Sequence, residues 1–111
     1  MWTVERAGDG QAGHYRILFA GNALTVDHAS MGSGALATAA PWRGGDHQIW
    51  NGTGHPSGGY RLTAKHSGLV LDSAGDVTPD GTTVVQSPWN SGRDQAWYAM
   101  EIQLEGVRRR A

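Results

Sequence analysis

Two short segments end in an aspartate and are followed, at nearly matched distances, by tryptophans and a glutamine. Asp72 closes Leu69-Val70-Leu71-Asp72, and Asp27 closes Leu24-Thr25-Val26-Asp27. Downstream of the first stand Pro88-Trp89, Asn90, Gly92, Asp94, Gln95 and Trp97. Downstream of the second stand Pro41-Trp42, Gly45, His47, Gln48 and Trp50. An ionised carboxylate only accepts hydrogen bonds, and each of its oxygens takes a donor in a charge-assisted bond. Asp also serves routinely to satisfy a turn after a strand. The indoles of Trp42 and Trp89 offer flat apolar faces, which either meet a partner or pack one element on another.

Other chemistries find little support. His14, His28, His47, His55 and His66 show no metal-ligand spacing, and with no cysteine in the chain neither a zinc site nor a disulfide framework is expected. No nucleophile elbow or ordered Ser-His-Asp set is present. Asp72 and Asp76 fall within one turn-rich loop rather than across a cleft, which argues against a hydrolytic pair. Asn51-Gly52-Thr53 matches the glycosylation sequon. No catalytic residue, metal or cofactor is predicted.

The formal net charge of −1 lacks the basic footprint that nucleic acid or an anionic membrane requires. Arg108-Arg109-Arg110 reads as a solvated tail. No run approaches the roughly 18 apolar residues of a membrane span. The start, Met1-Trp2-Thr3-Val4-Glu5-Arg6, lacks the regions of a signal peptide.

The elements that would position these residues are strands. In a chain of 111 residues with 17 glycines, runs of Val, Leu, Ile, Tyr and Trp recur about every ten residues between turn clusters, the signature of an all-β sandwich or barrel. Strands are predicted at Tyr15–Phe19, Ala23–Val26, Ala35–Ala39 and Gln48–Trp50, and again at Tyr60–Ala64, Leu69–Leu71, Thr82–Gln86 and Gln95–Met100. Asp80-Gly81 and Gly32-Ser33-Gly34 are turns.

Those two sets are copies of one unit. Tyr15-Arg16-Ile17 returns as Tyr60-Arg61-Leu62, a step of 45 residues, as is the step from Asp27 to Asp72. Trp50 to Trp97 is a step of 47, so one two-residue insertion separates the copies. Such a period marks a repeat architecture, in which one copy cannot bury its apolar face alone. Trp2 before a Gly-rich turn reads as the end of a further unit, and Glu101–Glu105 as the opening strand of one. The organisation is a single domain over 1–111, with a partial repeat ending at 14, repeats at 15–59 and 60–100, and a strand and tail over 101–111.

Ser67-Gly68-Leu69-Val70-Leu71-Asp72, Asp80-Gly81-Thr82-Thr83-Val84-Val85-Gln86 and the Gln-x-Trp ending Gln95-Ala96-Trp97, with Gln48-Ile49-Trp50 in register, resemble the ricin-type β-trefoil lectin family. The resemblance implies an all-β, β-trefoil-like barrel with pseudo-three-fold symmetry, here with its third lobe incomplete. In that setting Trp2–Arg6 would pair with Glu101–Glu105, or a second chain would cover the open lobe as a homo-oligomer. The resemblance also implies that Asp72 and Asp27 accept two adjacent sugar hydroxyls, and that Trp50 and Trp97 fill the core. The family's stacking aromatic falls on Ser87 and Ala40, neither of which can stack. Trp89 and Trp42 would supply a displaced ring, or pack the hairpin. The polar contacts would come from Asn90, Asp94 and Gln95, with Gln48 in the first copy. A galactose-type or other glycan, no nucleic acid, no membrane insertion and a secreted or extracellular setting follow as expectations. The alternative is a sugar-silent trefoil that serves assembly.

Overall fold

The computed structural model describes residues 2–19, 21–73, 77–78, 81–82 and 84–97. Strands form where β-branched and aromatic residues meet turn residues: β1 (Trp2–Arg6), β2 (His14–Phe19), β3 (Asn22–Val26), β4 (Ala37–Pro41), β5 (Trp50–Gly54), β6 (Tyr60–Ala64), β7 (Val70–Asp72), β8 (Val77–Thr78), β9 (Gly81–Thr82) and β10 (Val85–Ser87). Short 3₁₀ turns occupy Asp27–Ala29, Asp46–Gln48 and Arg93–Gln95. Eight strands form one sheet in the order β10-β7-β6-β5-β2-β3-β4, with β1 added on β2, while β8 and β9 pair separately. Among the described residues no helix is long and apolar enough to cross a membrane.

The ladders show the repeat directly. Tyr15 pairs with Trp50 and Tyr60 bridges to Trp97, closing each copy on itself. Trp2 pairs with Phe19 as Trp50 pairs with Ala64, so β1 stands to β2 as β5 stands to β6. The described residues therefore hold two lobes, A and B, plus one strand of a third unit; Glu101–Glu105 lies outside them.

One expected equivalence is corrected. Leu18 pairs with Ala23 in lobe A, and Thr63 with Val70 in lobe B. Thr38 faces Thr25, and Val85 faces Asp72. The residue matching Asp72 is therefore Thr25, and Asp27 lies two residues beyond it. The insertion sits in the turn between β6 and β7, where Lys65 and His66 have no counterpart between β2 and β3, and not after the aspartate.

Four strands also differ from expectation. Gln48 and Gln95 end 3₁₀ turns, and the strand of lobe A starts at Trp50 and runs through the glycine-rich Gly52 to Gly54. A Cβ on Gly52 would stand 3.4 Å from the Tyr15 ring, an ordinary van der Waals contact, and Gly52 pairs with Leu62 within the ladder rather than making a bend. The strand expected at Ala35–Ala39 begins at Ala37, because Ala35 accepts from the Gln86 amide and Leu36 bridges to Val85 of the other hairpin. The one expected at Thr82–Gln86 is divided between β9 and β10, while residues 98–100 and Asp80 lie outside the described set.

Both lobes feed one core. Ile17, Leu24, Val26, Ala37 and Trp50 of lobe A cluster with Leu62, Ala64, Leu71, Val84 and Trp97 of lobe B. Each indole N–H is satisfied from within its lobe, Trp50 by the Leu24 carbonyl at 3.2 Å and Trp97 by the Leu71 carbonyl at 2.9 Å. The two hairpins are also joined across the cap, where Ala37 N donates to Val84 O at 2.9 Å and Gly34 N to Gln86 O at 2.7 Å.

Candidate functional site

In lobe B the candidate residues converge where β7 ends against the loop 88–95. Asp72 is 7% exposed, and its Oδ2 accepts from the Gln95 amide at 3.1 Å. The same amide nitrogen donates to Pro88 O at 2.8 Å, and Gln95 Oε1 accepts from Asn90 N at 2.9 Å. Gln95 is fully buried. It acts as a strut that ties the carboxylate to both ends of a turn. Ser73 N donates to Asp94 O at 2.9 Å, which places Asp94 beside the residue that follows Asp72. The Asp94 side chain is exposed, while Asn90 folds back so that its Oδ1 accepts from Gly92 N at 2.7 Å.

Lobe A keeps the strut and lacks the acid. Gln48, 2% exposed, donates to Pro41 O at 2.8 Å and accepts from Arg43 N at 2.8 Å. Its third bond goes to Thr25 Oγ1 at 3.1 Å, and that hydroxyl in turn donates to Ala23 O at 2.7 Å. Asp27 instead opens a 3₁₀ turn and accepts the Thr38 hydroxyl. The structure thus gathers Asp72, Asn90, Asp94 and Gln95 in one place but does not give Asp27 the position of Asp72.

The tryptophans that follow the prolines are each engaged by an arginine of their own lobe. The Arg61 guanidinium lies 4.3 Å from the Trp89 ring centroid and that of Arg16 lies 5.1 Å from Trp42. His55 meets Trp89 edge-on, with centroids 5.1 Å apart and planes at 74°. These are cation–π and edge contacts that fix the loop on the barrel. Trp89 remains 37% exposed. Ser87 and Ala40 occupy matching positions opposite Val70 and Ala23. The sequence did not single out Arg16, Arg61 or His55; the recurrence of Tyr-Arg before each Pro-Trp was the available signal for the arginines.

A second polar cluster joins three turns. Asp9 Oδ2 accepts from His14 Nδ1 at 2.8 Å and from Lys65 Nζ at 2.9 Å, and Lys65 also lies 3.5 Å from Asp46. The His14 bond, then the Lys65 bond, hold the Asp9 carboxyl far below the usual carboxylate range. The Asp9 bond in turn raises the Lys65 ammonium. Among the described residues no group of three His, Asp or Glu side chains is arranged to hold a metal ion.

Two repeated lobes, each closed on a buried Gln-x-Trp, with hairpins joined over a shared core, define an all-β trefoil of the lectin-like class. The chain belongs to the family described as ricin-type beta-trefoil lectin domain-like, whose model matches residues 1–87 and 53–108. Among solved structures it is similar to the designed three-fold symmetric protein ThreeFoil, with 34% identity and a TM-score of 0.77, over 89% of this chain and 70% of that one. It is also similar to the exo-beta-1,3-galactanase 1,3Gal43A from Clostridium thermocellum, with 27% identity and a TM-score of 0.75, over 89% of this chain and 21% of the enzyme. The Polyporus squamosus lectin, solved with Neu5Acα2-6Galβ1-4GlcNAc, shares the fold at 21% identity and a TM-score of 0.68, over 86% of this chain and 32% of the lectin. No curated protein matches the chain by sequence.

Proposed function

We propose that this chain is a non-catalytic carbohydrate-binding module whose sugar site lies in lobe B. The observation that carries the reading is the Asp72–Gln95 pair in a member of a lectin-like family, with Thr25–Gln48 in the other lobe. An ionised carboxylate has about four lone-pair directions, so Asp72 takes sugar hydroxyls alongside the Gln95 amide. Gln95 orients it from below, and Asp94 and Asn90 supply the rim. Asp94 accepts where an amide would donate, which favours a ligand that presents hydroxyl donors on that side. The likeness to the galactanase supports a galactose-containing glycan. Trp89 borders the site as a partly exposed ring, while Asp27, Trp42 and Gln48 serve the structure of lobe A. A site of this kind binds weakly, and useful avidity comes from several copies or tethered modules.

The assembly role is the second reading, favoured by Ser87 and Ala40 in place of stacking aromatics. A glycan array with the wild type, Asp72→Asn and Asp94→Ala separates the two. Asp72→Asn retains an oxygen for Gln95 and loses the charge, so the fold survives while binding drops at least tenfold; titration of the wild type gives one sugar per chain. Silence on every glycan, with a stable oligomer by light scattering, selects the assembly role.

A further inference from the structure

The segment leading into lobe B differs from the segment leading into lobe A at one buried position. His55, 6% exposed, lies five residues past Trp50, and the matching position past Trp2 is Ala7. The backbones agree, since His55 N donates to Gly59 O at 3.1 Å and Ala7 N to His14 O at 3.0 Å. Of the two segments, the one leading into lobe B carries a ring there and the one leading into lobe A does not. Both ring nitrogens are engaged: Nδ1 lies 2.9 Å from Ser57 N, and Nε2 lies 3.0 Å from Gly92 O. A backbone N–H only donates and a carbonyl only accepts, so this pair of partners fixes the neutral ring with its proton on Nε2. Gly92 belongs to the loop that carries Asn90, Asp94 and Gln95.

We propose that His55 is a positioning residue for the lobe B sugar site, a neutral clasp on the loop 88–95 that opens when the ring takes up a proton. The inference rests on the carbohydrate reading above. A proton on Nδ1 would set two N–H donors against each other at Ser57, inside a site with little water to absorb the charge. The ring must then turn or the chain must shift, and the hold on Gly92 goes with it. The charged and titratable groups on the elements packed against the ring are Arg61, which lies over Trp89, Tyr60 beside it on β6, and Arg93 and Asp94 next to Gly92. The arginines oppose the added charge and Asp94 favours it.

Binding to immobilised Galβ1-4GlcNAc at pH 8, 7, 6 and 5 tests this with the wild type, His55→Gln and His55→Ala. Wild-type affinity falls about fivefold between pH 8 and 5, the net worth of roughly one hydrogen bond. His55→Gln carries a non-titrating amide N–H toward Gly92, binds as the wild type at pH 8 and holds its affinity at pH 5. His55→Ala is weaker at every pH. A wild-type decline that persists in His55→Gln, or full affinity in His55→Ala, overturns the clasp. If the wild type leaves this sugar unbound at all pH values, the carbohydrate reading with this probe is what fails. The clasp is then decided without ligand by the ¹⁵N–¹H shifts of Ser57, Gly92 and the Gln95 side-chain amide. Titration of all three between pH 8 and 5 in the wild type and not in His55→Gln supports it; invariant shifts in the wild type refute it.

Discussion

Gln95 holds three partners in its buried corner: the Asp72 carboxylate, the Pro88 carbonyl and the Asn90 amide. Leucine nearly conserves its volume and removes every one of those bonds. Each hydrogen bond so lost costs about 1 kcal/mol, more where the partner is charged. Gln95→Leu should therefore lower stability by roughly 3 kcal/mol or more, read from urea midpoints at unchanged slope. A loss below about 1 kcal/mol would mean that water replaces the strut. The sequence made this residue conspicuous through its Gln-x-Trp spacing, but spacing does not reveal its burial. Asp27 was misplaced for a related reason. Leu69 and Leu71 both offer a match to Leu24, and the shared aspartate decided for the wrong one. The better guide was the turn: Gly21 and Gly68 are 47 residues apart and both adopt positive φ, at 86° and 77°, where only glycine is unstrained.

At the scale of elements, the two inserted residues connect turns that periodicity alone cannot bring together. Lys65 reaches Asp9 in the turn between β1 and β2 and Asp46 in the 3₁₀ turn of lobe A, and His66 Nε2 lies 2.7 Å from Ser30 O. Strand content and the repeat were legible because side-chain alternation and turn residues are local properties. The extension of β5 through Gly52 was not, since a glycine paired within a ladder looks in sequence like a glycine that makes a bend. The Asp9–Lys65 tie has a definite pH signature. Asp9 has a depressed folded value, so its contribution is complete above the ordinary carboxylate value of about 4 and is lost as pH falls through and below it. Lys65 has a raised one, so its contribution is complete below about 10.4 and is lost as pH rises beyond that. The wild type should lose stability more steeply than Asp9→Asn between pH 5 and 3, measured by denaturant midpoint. The gap should narrow in 0.5 M NaCl, because these groups are solvent-accessible and screened. Parallel acid profiles for the two proteins would show that the tie contributes nothing measurable.

For the whole molecule the decisive fact is that neither lobe owns a core. The buried cluster draws on both, and each lobe's hairpin hydrogen-bonds to the other's across the cap. Two copies of a sequence could in principle make two domains that unfold in turn, and this packing forbids it. Trp50 is fully buried in lobe A, and its replacement by alanine leaves a cavity with a typical cost of about 3–5 kcal/mol. Because the cavity opens into a shared cluster, the cost is borne by lobe B as well. In native-state hydrogen exchange, Trp50→Ala should lower the protection of Leu62 and Leu71 by about the same free energy as that of Ile17 and Leu24, with a single coincident transition by fluorescence and far-ultraviolet dichroism. It should also weaken the lobe B sugar site only in proportion to the population unfolded, leaving intrinsic affinity intact at low temperature. Protection in lobe B that survives while lobe A exchanges freely would mean that the copies fold independently, and that the sugar site needs the barrel of its own repeat and no more.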